Sequence, residues 1–160
     1  MILIRKIKTA LSLLCLLLLT YSCNYKPLLL TDLGNYNIIE INTSGEKRIG
    51  HILKNKIKIN PDNEGTPLSL DLGIKKNKSI SEKNIKNKAT KYKIDLVIDI
   101  TVTNLNNNNK KFFSVIKSGI YNSSSQYSSN LKSEKNLINT LINDLSDEIL
   151  RKTMIQLNDI

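Results

Sequence analysis

The feature that most constrains the fold is a run between positions 92 and 102 in which every second residue is apolar. Side chains alternate between the two faces of a β-strand, so one face would hold Tyr92, Ile94, Leu96, Ile98, Ile100 and Val102. The other face would hold mostly charged or hydroxyl side chains, namely Lys93, Asp95, Asp99, Thr101 and Thr103. The run therefore predicts a long strand that is covered on one side only, as in an antiparallel sheet.

Three other segments predict further strands. Residues 36–41 form a short β-branched run, and residues 68–74 alternate Leu or Ile with other residues. Residues 111–121 return as a fourth strand after an Asn-rich turn at 106–109, with Gly119 as the site of a β-bulge. The lysine-rich segment 75–91 is polar, and we expect it to form an exposed loop.

Two segments have the period of amphipathic helices. The first is expected near 44–58, where Thr43 and Glu46 form a capping-box pattern ahead of an apolar stripe: Ile49, Ile52, Leu53 and Ile57. The second occupies the last third of the chain, with an apolar face of Tyr127, Leu131, Ile138, Leu141, Ile142, Leu145 and Ile149. The element order β-α-β-β-β-α predicts an α+β fold in which two helices pack on one face of a four-stranded, mainly antiparallel sheet.

The first 22 residues have the layout of a secretory signal. Arg5, Lys6 and Lys8 precede an apolar stretch at 10–19, and the small residue Ser22 closes it. A bilayer-spanning helix takes ~20 residues, so this stretch fits a cleaved signal better than an uncleaved anchor helix.

The residue after this segment is a cysteine. Leu19-Thr20-Tyr21-Ser22-Cys23 resembles a lipobox, with Thr20 in place of the usual Leu. Cys15 is a weaker candidate, because bulky Leu14 precedes it and its use would truncate the apolar core. Two or more acyl chains hold a protein stably on a bilayer. We therefore expect a lipoprotein signal peptide at 1–22, a lipid-anchored tether at 23–34 and an α+β domain at 35–160.

Length, charge and cysteine content limit the mature chain. Removing the first 22 of 160 residues leaves 138, which is enough for one core, and lowers the net charge from +10 to +7. This basic balance suits phosphorylated polyanions, although a general codon bias toward Lys, Asn and Ile would explain it equally well. With Cys15 removed, no internal disulfide can form, and the lone His51 argues against a structural zinc site.

The sequence contains no pattern typical of an enzyme. It lacks a phosphate-binding Gly loop, a Gly-x-Ser-x-Gly nucleophile turn and metal-spaced acids. We expect a protein without catalytic residues or metal, and keep as an alternative a hydrolase that would use Asp95, Asp99 and His51. Four candidate strands are also too few for an outer-membrane barrel, which needs at least ~8, so the domain should be accessory to another protein.

Five local motifs occur in order along nearly the whole mature chain. They are Cys23-Asn24-Tyr25-Lys26-Pro27-Leu28 after the lipobox, Arg48 at the first helix, Ala89-Thr90-Lys91-Tyr92 opening the long strand, Gly119-x-Tyr121-Asn122, and Tyr127-Ser128 entering the last helix. Together they resemble the LPS-assembly lipoprotein (LptE) family, particularly its alphaproteobacterial branch. Asn24 and Leu29 depart from the usual Gly and Tyr of that branch, and the final helix is poor in alanine.

The resemblance implies an outer-membrane, periplasm-facing lipoprotein that plugs a large LptD-like β-barrel and assists delivery of lipopolysaccharide to the cell surface. It implies no cofactor apart from the covalent N-acyl and S-diacylglycerol lipid on Cys23. Asn24 fits outer-membrane sorting, because Asp at that position usually retains lipoproteins in the inner membrane. The resemblance also implies contacts between lipopolysaccharide phosphates and a set of lysines: Lys75, Lys76, Lys78, Lys83, Lys86, Lys88, Lys91 and Lys93.

Two other functions are compatible with parts of the sequence. An outer-membrane lipoprotein that serves as a scaffold of another envelope assembly would have the same leader and the same anchor. Nucleic acid is not expected as a partner, because the leader takes the chain out of the cytoplasm and its six Tyr and two Phe form no stacking motif.

Overall fold

A computed structural model describes residues 36–57 and 65–158 of the chain. Its elements are β1 (Tyr36–Gly45), α1 (Lys47–Lys56), β2 (Thr66–Lys83), β3 (Ala89–Asn104), β4 (Lys110–Asn122) and α2 (Tyr127–Asn158). The predicted signal peptide, Cys23 and the tether at 23–34 lie outside the described residues.

The four strands form one sheet in the order β1-β2-β3-β4. β1 pairs with β2 in parallel, and the other two pairings are antiparallel. A parallel pair needs a crossover, and α1 lies in the connection that provides it. The predicted element order, the α+β class and the mainly antiparallel sheet are therefore confirmed.

One face of the sheet, here called the inner face, carries the core. Leu70, Leu72 and Ile74 of β2 pair with Val102, Ile100 and Ile98 of β3, and each of these six side chains is at most 3% exposed. Each buried aliphatic side chain of this size contributes ~1.5–3 kcal/mol, so these two columns supply much of the drive to fold. The period-two run of β3 is thus covered on one side, as its pattern predicts.

Both helices cover this inner face, as expected. α1 contributes Ile49 and Leu53, and the later part of α2 contributes buried residues from each turn, namely Leu141, Ile142, Leu145 and Ile149. The prediction was wrong at the start of α2, where Tyr127 is 76% and Leu131 is 49% exposed. α2 meets the inner face in this region through a polar contact, in which Glu134 pairs with Lys76 and Lys78.

The lysine-rich segment is mostly strand, so the prediction of a loop over 75–91 was wrong. β2 continues to Lys83 and pairs with the first half of β3, so only residues 84–88 remain between the two strands. Side chains at 79–88 are all exposed. Backbone pairing holds this part of the hairpin together, and an exposed strand of this kind leaves no apolar alternation in its sequence.

Two local predictions were also wrong. Thr43 belongs to β1, and Glu46 caps α1 without any side-chain hydrogen bond, so the capping box does not form. The chain turns at Gly45 instead, where φ is +87°, and the Glu46 N–H donates to the Ile74 carbonyl oxygen at 3.2 Å. Gly119 lies in a register without a shift and is therefore not a bulge; a Cβ there would stand 2.5 Å from Leu137 Cδ1 of α2.

The turn at Gly45 yields the first testable prediction. Gly45→Ala should lower the free energy of unfolding by at least ~2 kcal/mol, because a left-handed φ costs ~1–2 kcal/mol for an L side chain. The added Cβ would also collide with the Ile74 carbonyl oxygen. Urea unfolding of the purified chain measures the loss.

Gly73→Ala is the matched control. A Cβ at Gly73 meets its nearest neighbour, Asp99 Cβ, at 3.7 Å, which is ordinary van der Waals contact. This variant should be no less stable than the wild type, since Gly costs ~0.5–1 kcal/mol in a strand relative to Ala. Equal stability of the two variants would show that the turn at Gly45 does not need glycine.

Candidate functional site: the lysine-rich hairpin and the open sheet face

The eight lysines of the predicted phosphate set do not form one cluster. Five of them contact acids: Lys75 with Asp99 at 2.9 Å, Lys76 and Lys78 with Glu134 at 3.4 and 2.6 Å, Lys91 with Glu82 at 2.5 Å, and Lys93 with Asp95 at 2.8 Å. Among residues 36–57 and 65–158, no acid pairs with the remaining three, Lys83, Lys86 and Lys88. Within this set of eight, the unpaired lysines are therefore the three at the end of the hairpin.

Lys78 lies on the inner face, in a cluster that joins the hairpin to α2. Its Nζ is 4.7 Å from the ring centroid of Tyr92 and 5.5 Å from that of Tyr121, and these two rings stack at 5.5 Å. The Tyr121 hydroxyl donates to Glu134 Oε2 at 3.3 Å. The hydrogen bond with Glu134 raises the pKa of Lys78, and the same bond lowers the pKa of the Glu134 carboxyl. Lys78 is thus held in a structural ion pair.

This cluster yields the second prediction. Glu134→Gln should lower the free energy of unfolding at pH 7 by ~1–2 kcal/mol, because it removes a charged acceptor from a partly buried network. The folded-state pKa of Glu134 lies below its ordinary value of 4.5, so the stabilisation is present above pH 4.5 and is lost as pH falls through the folded pKa. Urea unfolding at pH values between 7 and 3 measures both effects.

Glu82→Gln serves as the control for that experiment. Glu82 also pairs with a lysine, Lys91, but both side chains are largely exposed, so water screens the pair. The loss for Glu82→Gln should be clearly smaller than the loss for Glu134→Gln. If wild type and Glu134→Gln have the same stability at pH 7 and the same acid dependence, Glu134 does not tie the hairpin to α2.

The other face of β2, β3 and β4, here called the open face, is not covered by either helix of the described structure. A row of apolar side chains runs along β4 on this face: Phe112 is 70%, Ile116 is 60% and Ile120 is 54% exposed. Large exposed apolar rows typically mark interaction surfaces. This row was not predicted from the sequence, although the alternation within residues 111–121 was the available signal.

The charges of the open face are largely neutralised within it. Lys75 pairs with Asp99, and Lys93 pairs with Asp95, which also accepts a hydrogen bond from the Ser118 hydroxyl. These lysines are the main cause of the lowered pKa of Asp95 and of Asp99. The face therefore presents paired charges beside an apolar row.

The free edge of β4 is protected by α2. Glu148 contacts Lys117 at 2.7 Å and Lys152 at 3.6 Å, and Lys152 Nζ donates to the Ser114 carbonyl oxygen at 3.2 Å. Lysines at a sheet edge oppose the addition of a further strand. The packing of α2 therefore opposes extension of the sheet at β4.

The three residues of the hydrolase alternative lie on opposite sides of the sheet. Asp95 and Asp99 are on the open face, whereas the exposed His51 is on α1 and faces Asn55 Nδ2 at 3.2 Å. A general acid needs a raised carboxyl pKa, and those of Asp95 and Asp99 are lowered. The structure does not assemble this candidate site.

A small cleft separates α1 from the start of α2. Its volume is about 130 Å³, and Ile49, Ile52 and Ile138 line it beside Arg48 and Lys135. Small-molecule pockets usually begin at ~300 Å³, so this cleft is too small to enclose a ligand of ordinary size.

The described residues contain neither a candidate metal site nor a candidate membrane-spanning helix. In that part of the chain, His, Cys, Asp and Glu side chains nowhere gather in a group of three that could hold a metal ion. None of the helices there combines the length and the apolar character needed to cross a bilayer.

Comparison with known proteins shows similarity of fold. No protein-family model and no curated protein matches the chain. Among solved structures, rare lipoprotein B from Shewanella oneidensis aligns with a TM-score of 0.59 at 14% identity, over 76% of this chain and 99% of that one. Lipoprotein B from Nitrosomonas europaea aligns with a TM-score of 0.56 at 10% identity, over 77% of this chain and 85% of that one. A minor lipoprotein from Acinetobacter baumannii aligns with a TM-score of 0.51 at 12% identity, over 76% of this chain and 94% of that one.

Proposed function

We propose that this chain is a lipoprotein anchored in the outer membrane through Cys23, where it acts as the accessory subunit of a β-barrel that delivers lipopolysaccharide to the cell surface. Its role is binding and assembly, without a catalytic step. The leader and lipobox support the anchor, and the shared fold with three proteins described as lipoproteins supports the class.

The open face is the observation that carries the proposal. Within residues 36–57 and 65–158 all helical cover lies on the inner face, and Phe112, Ile116 and Ile120 stay exposed, so they can be covered by another protein. The row spans eight residue steps, or roughly 27 Å, which is long enough to contribute to a specific protein interface. The paired charges beside it need no new partner, so the face can contact a mixed polar and apolar wall without leaving an unpaired charge buried.

The phosphate contacts that the family resemblance implies for eight lysines stay a prediction, but for fewer of these lysines. Lys75, Lys76, Lys78, Lys91 and Lys93 already contact carboxylates. A phosphate that replaced one of these partners would leave the carboxylate without its lysine. Within this set, only Lys83, Lys86 and Lys88 could bind a phosphate of any source without breaking an ion pair.

Copurification tests the partner. The lipid-modified chain, extracted from membranes after cross-linking, should carry a large β-barrel protein, and Ile116→Lys should reduce its yield at least tenfold, because the substitution places a charge in the centre of the row. Ile155→Lys is the control, since Ile155 is a 44% exposed apolar residue of α2 on the other side of the sheet. Equal recovery of the barrel with both variants would contradict docking through the open face.

Depletion separates the translocon role from the scaffold role. Loss of this chain should leave lipopolysaccharide on the inner side of the outer membrane if it serves a lipopolysaccharide translocon. A scaffold of another envelope assembly would copurify with different partners and leave lipopolysaccharide export intact. That result would overturn the translocon role.

Intact-mass analysis tests the anchor. The native protein should lack its first 22 residues and carry diacylglycerol and N-acyl groups on Cys23. Cys23→Ser removes the thiol that would be acylated, so this variant should lack the added mass of the diacylglycerol and N-acyl groups. An unmodified native Cys23 would refute the anchor.

A further inference from the structure

The end of the β2–β3 hairpin, residues 83–88 and here called the tip, is internally hydrogen-bonded. The Asn84 N–H donates to the Lys88 carbonyl oxygen, and the Asn87 N–H donates to the Asn84 carbonyl oxygen, both at 2.9 Å. Asn84 Oδ1 accepts from the N–H groups of Lys86 and Lys88, both at 3.0 Å. Asn87 adopts a φ of +62°, which asparagine tolerates better than most residues. These backbone groups therefore need little water, and the tip can approach an apolar layer at low cost.

Ile85 is the outermost apolar side chain of this tip. It is 103% exposed, the highest value among the exposed large apolar residues of the described chain, and Ile80 on β2 is 50% exposed. An isolated surface isoleucine is common, but Ile85 stands at the end of a protruding, hydrogen-bonded turn. The tip is convex, so it fits an extended surface better than it would enclose a single dissolved ligand.

The charge around Ile85 is positive and free. Lys83, Lys86 and Lys88 lie within three residues of it and have no acidic partner in the described structure. Glu82, the nearest acid along the chain, is neutralised by Lys91. An apolar side chain ringed by unpaired lysines complements the boundary of an anionic bilayer, where phosphates lie just above the acyl chains.

We propose that the tip is a second membrane contact: Ile85 enters the acyl boundary of a phospholipid leaflet while Lys83, Lys86 and Lys88 meet its phosphates. The proposed ligand is an anionic glycerophospholipid. This inference rests on the proposed Cys23 anchor, which would hold the domain beside that leaflet. Each lysine near an anionic surface raises the affinity for the membrane about fivefold.

Chain length permits both contacts on one leaflet. Tyr36, where the tether joins the sheet, pairs with Thr66 at the end of β2 opposite the tip. The 18 residues of β2 span roughly 55–60 Å, and the 13 residues 23–35 reach at most ~45 Å. The anchor and the tip would then hold the long axis of the domain along the membrane instead of upright.

A single tryptophan tests the proposal, because the chain contains none. The full lipid-modified chain carrying Ile85→Trp is reconstituted into vesicles of phosphatidylcholine with or without phosphatidylglycerol. Its emission should shift to the blue and be quenched by brominated acyl chains only when phosphatidylglycerol is present. Adding Lys83→Gln, Lys86→Gln and Lys88→Gln should weaken tip insertion about 100-fold and abolish the shift.

Ile116→Trp is the matched control, since Ile116 is a 60% exposed apolar residue on the open face, where Lys75 and Lys93 are paired with Asp99 and Asp95. Its emission should not depend on phosphatidylglycerol. Unchanged Ile85→Trp emission in all vesicles overturns the tip contact, and so does a shift that requires lipopolysaccharide or inorganic phosphate. Flotation with neutral vesicles reports the Cys23 anchor separately, so failure of the anchor is distinguishable from failure of the tip.

Discussion

Burial of two facing aliphatic columns, one on β2 and one on β3, is the interaction on which the rest of the molecule depends. Leu70, Leu72 and Ile74 face Val102, Ile100 and Ile98, and all are almost fully removed from water. Both helices are drawn to the side of the sheet that bears these columns. Because both helices of the described structure lie on that side, neither covers the opposite side, and the open face follows from where the apolar residues of the described strands lie.

The columns also decide where the packed part of the domain ends. On β2 the inner-face residues change from Ile74 to Lys76 and Lys78. Both lysines pair with Glu134 of α2, which stands where an aliphatic side chain would otherwise pack. Beyond this cluster the hairpin continues without cover. The molecule thus has a packed body, a polar junction and a protruding arm, and each part presents a different chemistry to its surroundings.

The sequence predicted what depends on a long, regular pattern. The alternation from Ile94 to Val102 located the central strand, and the 3.6-residue period of Leu141 to Ile149 located the packed part of the last helix. It could not reveal the strand at 75–83, since lysines and asparagines held by backbone pairing resemble a loop. Gly119 is glycine because Leu137, 18 residues later, lies over it, and such a contact leaves no local signal. The run at 92–102 correctly predicted a strand with one uncovered polar face, but the apolar row of β4 on that side of the sheet was not predicted.

The parallel pairing of β1 with β2 determines how the domain would bear tension. Tyr36 receives the tether, and its hydroxyl donates to the Leu157 carbonyl oxygen at 3.3 Å, so the point of attachment is joined to the last turns of α2. A pull between the tether and the hairpin end runs along the strands, and it would load the hydrogen bonds between β1 and β2 together instead of one after another. A domain held at these two ends would therefore resist being drawn apart, because its hydrogen bonds would have to break together under shear.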